Sequence, residues 1–219
     1  MSIPTALSRN GPLRSDRFQQ PFVADLTLGL GRVHEFCGDA RRRLALMLAA
    51  RMTGDVFWIA PAWEPARLNP QGFHDLVEPA RITFVTVKRA EDLLWCMEEV
   101  LRSGAVPLAV VDVPGLPHLT PVRRMHLAAE AGADRGAVPL GILLTPGDGG
   151  AQGVETRWRL RAAHAPGHEA WHLTRLRARM AAPRDWRMQP GAHGMTLTPW
   201  QGDTGGRGAA PAPGTPGDI

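Results

Sequence analysis

Four short apolar runs constrain this chain more than any other feature. They are Val56–Ala60, Ile82–Val87, Leu108–Val113 and Gly141–Leu144. None alternates cleanly between apolar and polar residues, so each reads as a strand buried on both faces, as in a parallel sheet covered by helices. Helical patterns lie between them. Ala40–Met52 spaces Leu44, Met47, Leu48 and Met52 at helical intervals, with Asp39 as the expected N-cap and Gly54 as the stop. Ala90–Ser103 carries Leu93, Leu94, Met97, Val100 and Leu101 on one side and ends at Gly104. Asn69–Pro70 predicts a short helix, and Thr120–Pro121 opens one reaching about Ala133. With Arg32–Phe36 as the first strand, the order predicts an α/β fold: a mainly parallel sheet flanked by helices.

The rhythm then changes. Thr156–Arg161, Trp171–Arg179, Trp186–Met188 and Met195–Thr198 read as strands with no helix between them, an antiparallel C-terminal extension. Arg157, Arg159 and Arg161 share one face of their strand, as do Arg175, Arg177 and Arg179 on the next. If the two strands pair, six arginines form a basic patch able to hold phosphates by charge. Trp158 falls on the opposite parity from the arginines of its strand, and Trp158 and Trp171 are both expected to be buried. Residues 1–28 read as an N-terminal arm or one short helix, 29–200 as the folded domain, and 201–219 as a disordered Gly/Pro/Ala-rich tail.

Composition narrows the class. Of 219 residues, 44% are apolar and 21% charged, the balance of one globular domain. No apolar run approaches the roughly 20 residues a bilayer span needs, and the N-terminus lacks a signal-peptide core. A cytoplasmic protein with no membrane partner is expected. Cys37 and Cys96 sit in apolar segments and read as buried free thiols. His164, His168 and His172 are spaced by four, but Pro166 and Gly167 break any helix there, so no metal site is expected. The net charge is +4, and Lys88 is the only lysine. Such arginine bias suits contact with nucleic acid or acidic proteins.

The junction FCGDARRRLALM poses the functional question. A phosphate loop needs glycines that let backbone N–H groups converge, a lysine for the β/γ oxygens and a Ser/Thr hydroxyl for Mg²⁺. Here Gly38 keeps the first turn, but Arg41, Arg42 and Arg43 stand where lysine and hydroxyl belong. Asp112 ends its strand in a place suited to a second nucleotide motif. Three cations at a helix start oppose the macrodipole, which points to an acidic partner or nucleic acid. Arg123 and Arg124, at the start of a later helix, are further contact candidates.

RSGAVPLAVVDVPGLPHLTP (102–121) and GRVHEFCG (31–38) resemble the second-motif stretch and the phosphate-loop strand of RecA-type ATPases. GGAQGVETRWRLRA falls where RecA has its second DNA loop and following strand. GRVHEFCGDARRRLALMLAARMTGDVFWIAP, EDLLWCMEEVLRSGAVPLAVVDV, LTPVRRMHLAAEAG and GVETRWRLRAA are more closely similar to ImuA-type proteins. The resemblance implies a RecA-like core of the P-loop-NTPase type with a degenerate phosphate loop, no cofactor and no ATPase activity. In RecA the strand corresponding to Val56–Ala60 leads to a catalytic acid; here no carboxylate follows until Glu64. The process implied is SOS-type, DNA-damage-induced mutagenesis by translesion synthesis. The implied partner is a Y-family-like polymerase subunit of the ImuB type, with RecA and DNA as further contacts. The division inhibitor SulA belongs to the same broad group, so a SulA-like blocker of a tubulin-like division protein is the alternative.

Overall fold

In the computed structural model, which describes residues 18–192 and 194–201, the chain opens with a hairpin, β1 (Gln19–Val23) and β2 (Leu26–Gly29). The arm expected over 1–28 is therefore, from residue 19 on, a β-hairpin rather than a helix; residues 1–17 lie outside the described residues. The hairpin packs inward through Phe22, Val23 and Leu28, all buried. Its two-residue turn needs a positive φ, and Ala24 supplies it at +46°. Such a turn usually advertises itself by Asn-Gly or Asp-Gly, which is why the sequence hides it.

β3 (Val33–Cys37) begins the main sheet, followed by α1 (Arg41–Ala50), β4 (Val56–Pro61), β5 (Ile82–Val87), α2 (Ala90–Ser103), β6 (Leu108–Asp112), α3 (Leu119–Ala133) and β7 (Leu140–Leu144). The extension follows as β8 (Thr156–Ala162), β9 (Trp171–Ala178), β10 (Arg184–Gly191) and β11 (Gly194–Pro199). The Asn69–Pro70 signal yields a 3-10 turn at Pro70–Gly72, with Asn69 accepting from the Gln71 N–H.

One nine-stranded sheet runs in the order β11-β10-β9-β8-β3-β7-β6-β4-β5. It is parallel from β8 to β5, and β8, β9, β10 and β11 pair antiparallel. The helices divide between its faces. From β3 the chain crosses outward to β4, and α1 covers one face with the hairpin, Trp58, Trp158, Trp171 and Trp186. From β5 it returns through β6 to β7, and α2 and α3 cover the other face with Val33, Ile59, Val111 and Leu143. Reversing direction while keeping right-handed crossovers forces this division. β3, β6 and β7 are buried throughout, as continuous apolar strands should be.

His34, fully buried on β3, ties the hairpin to the sheet. The Trp158 indole N–H donates to Thr156 Oγ1 at 2.8 Å, and the Thr156 hydroxyl donates to His34 Nδ1 at 2.7 Å. His34 Nε2–H then donates to the Gly29 carbonyl at 2.9 Å. Every polar atom in this dry chain is partnered, and burial lowers the His34 pKa to about 4.

Candidate functional site

The carboxyl edge of the parallel strands is where α/β sheets hold ligands. Gly38 leaves β3 there with φ +90°, and a Cβ on it would lie 2.2 Å from the Leu160 carbonyl oxygen. The turn is thus pressed against β8. Gly38 N–H donates to the Gly147 carbonyl at 2.9 Å, and Ala40 N–H donates to that of Leu160 at 3.2 Å. These are backbone donors that a phosphate loop would turn toward its ligand, and the chain's own carbonyls engage them.

Asp39 does not cap α1. Ala40 occupies the cap position with no side-chain bond, and Asp39 is exposed one residue earlier. The tight contact of Gly38 with β8 sets the helix start one residue later than the sequence pattern suggests.

The three arginines that follow find partners inside the protein. Arg42 Nε donates to Asp112 Oδ2 at 2.6 Å, and Arg41 Nη2 lies 3.6 Å from Asp112 Oδ1. Arg41 Nη1 also donates to the Gly38 carbonyl at 3.3 Å. Arg43 reaches Glu169 at 3.3 Å, with its guanidinium 4.5 Å from the centre of the Trp171 ring. Their charge at a helix start is therefore answered within the protein by Asp112, Glu169 and an aromatic face. These residues do not fit a Mg²⁺-nucleotide: each Asp112 oxygen faces a guanidinium, and no lysine or hydroxyl stands at Arg41–Arg43.

Beside this closed turn lies a second buried pair. Glu35, fully buried on β3, accepts from the Thr145 hydroxyl at 2.6 Å and from the N–H groups of Gly150 and Ala151 at 2.7 and 3.1 Å. Its other oxygen pairs with Arg157 Nε, and Arg157 Nη2 reaches back to the Ala151 carbonyl at 3.0 Å. One carboxylate thus binds the whole 145–151 turn to β3 and β8. Gly149 sits against it with φ +71°, and a Cβ there would meet Glu35 Oε1 at 2.6 Å. The 145–151 turn is therefore pinned down. Burial and the Glu35 carboxylate push the nearby Cys37 thiol up to about 12, so it is no nucleophile. Cys96 is a free thiol too, but only partly buried.

The six-arginine patch does not form. A bulge in β9 pairs Arg157 with Arg177 but Trp158 with Arg175, leaving Leu176 unopposed. Arg175 continues the face of Trp171 and Leu173, beside Trp158, and the bulge turns Arg177 away from it. Arg159 and Arg161 both pair with Asp148, the former at 3.3 Å. Arg179 lies 3.6 Å from Glu155 near the opposite end of β8. Arg124 pairs with Glu98 at 2.8 Å, bridging α3 to α2. Arg123 and Arg177 are exposed and form no ion pair among the described residues. Trp158 and Trp171 are buried as expected, but Trp171 lies on the same parity of β9 as Arg175, and its burial comes from the face packed under α1.

Nothing in the sequence marks a surface at the β5 edge. Connections leaving β4 pack on the α1 face through Phe73 and Val77, whereas β6 leads to α3 on the other. The carboxyl edge opens between them into a cavity of about 260 Å³, lined by Trp58, Ala60, Glu64, Leu68, Phe84 and the Arg42–Asp112 pair. Beside it β5 is the sheet edge, a run of Ile-Thr-Phe-Val-Thr-Val with no charge and no proline. Phe84 is 46% exposed, and Trp95 on α2 is 56% exposed. Large apolar groups and an unpaired strand edge in one place mark an interaction surface.

A scan against protein-family models and a search of curated proteins return no match to this chain.

Proposed function

We propose that the chain is a non-catalytic RecA-like accessory protein of DNA-damage-induced mutagenesis, bridging a Y-family-like polymerase subunit, RecA and DNA. The observation that carries the non-catalytic part is the closed phosphate turn. The Gly38 and Ala40 N–H groups serve internal carbonyls, and Arg41 and Arg42 neutralise Asp112. The process and the identity of the partners come from the sequence resemblance. The bridging role is supported by β5, whose free backbone groups suit an added extended segment, with Phe84 and the neighbouring cavity available for its side chains.

The test is affinity capture from DNA-damaged host cells, with bound proteins identified by mass spectrometry. Recovery of a Y-family-like subunit is the expected result. Recovery of a tubulin-like division protein in its place would overturn the assigned process in favour of the SulA-like alternative.

A further inference from the structure

The face of β9 that carries Trp171 and Leu173 also carries Arg175. In the antiparallel register with β10, Arg175 lies directly opposite Arg184. Like charges directly opposed across a strand pair are destabilising, and among the described residues neither guanidinium has a carboxylate partner. Both are instead held on aromatic faces. The Arg175 guanidinium lies 5.7 Å from the Trp158 ring centre and 5.4 Å from that of Trp186; Arg184 lies 5.2 Å from Trp186. Arg175 Nε and Nη2 both donate to the Ala182 carbonyl, at 3.1 and 3.0 Å, which fixes the plane of the fork. The arginines of β8, by contrast, all have a carboxylate partner: Glu35 for Arg157, and Asp148 shared by Arg159 and Arg161. Next to Arg175 opens a cavity of about 490 Å³ whose rim carries Phe18 and Met180, which are 43% and 96% exposed.

We infer that Arg175 and Arg184 form a phosphate-binding site for a single-stranded nucleic acid, with a base resting against Phe18 and Met180. The inference gives the DNA contact of the proposed function a location and rests on that reading. An oriented guanidinium pair without a carboxylate partner among the described residues suits a phosphodiester, and an adjacent apolar rim suits the face of any base. The site lies on the α1 side of the sheet, on the face that β9 also gives to Trp171 and Leu173.

The test is fluorescence anisotropy with a labelled thymidine strand about 12 nucleotides long. The wild-type chain is expected to bind at low salt. Arg184→Glu, at an exposed position, is expected to weaken binding roughly tenfold with the melting temperature kept. Arg175→Gln with Arg184→Gln should reduce the slope of log K against log salt by about 1.4, the value for two phosphates on a single strand. Arg161→Gln, which removes an arginine already paired, should bind like wild type. Unchanged binding by Arg184→Glu, or wild-type binding to anionic vesicles and not to the oligonucleotide, overturns the site. Loss of oligonucleotide binding with capture of the polymerase-like subunit intact sinks the site alone. Failure of capture with oligonucleotide binding intact sinks the proposed function alone.

Discussion

Glu35 and His34 are adjacent on β3 and both fully buried, yet they answer the burial of polar groups differently. Glu35 is matched by a cation and several donors, so removing it strands Arg157. Glu35→Ala should cost about 3–5 kcal/mol in urea denaturation, the range for a buried pair broken on one side. His34 is matched only as a neutral ring, and its protonation is resisted. Its folded pKa of about 4 lies below the unfolded value, so the unfolded state takes up the proton first as pH falls. Stability should hold from pH 8 to about 6.5, then fall toward pH 4 by roughly 3 kcal/mol from this residue. Burial lowers the His126 pKa as well, adding to the trend in the same direction. Denaturant midpoints at pH 7 and pH 4.5 check this, and His34→Gln should flatten the difference. Gly38→Ala adds a positive-φ penalty to a collision with a backbone carbonyl, so a loss of about 2 kcal/mol or more is expected on the same assay. None of these roles was legible in the sequence, because, Gly29 apart, each partner is supplied by a strand or turn more than a hundred residues away.

At the scale of elements the sequence was far more informative. The buried strands and three helices announce themselves by continuous apolar runs and helical spacing, and α2 occupies the Ala90–Ser103 range its pattern predicts. What escaped has local causes. The β1–β2 turn rests on Ala24, a residue that carries no turn signal. The β9 bulge leaves no trace in the alternation of WHLTRLRAR, yet it moves Arg177 off the face that Trp171, Leu173 and Arg175 share. The position of α1 is set by the contact of Gly38 with β8, not by Asp39. The edge strand carries the prediction at this scale. Because Phe84 is half exposed, Phe84→Lys should change stability by no more than about 0.5 kcal/mol. A charge on the edge should nonetheless abolish capture of the partner. Thermal melting and capture, run in parallel, check the two halves.

For the whole molecule, one sheet joins two kinds of architecture, a parallel core that places the carboxyl edge and an antiparallel extension that closes it. Among the described residues no helix is long and apolar enough to cross a membrane. The α/β class and the mainly parallel sheet follow the sequence expectation, and the extension pairs antiparallel as expected. The closure carries the prediction at this scale: Mg-ATP at millimolar concentration should leave the melting temperature unchanged, whereas a saturable rise would show that the turn opens. The engagement of Ala40 by Leu160 has an engineering consequence. Placing lysine and threonine at Arg42 and Arg43 would supply the letters of a phosphate loop without its cradle. The amide of Ala40 would still belong to β8, which would have to be peeled from the sheet. The extension thus acts as a latch: point mutations that supply the side chains cannot by themselves supply the site.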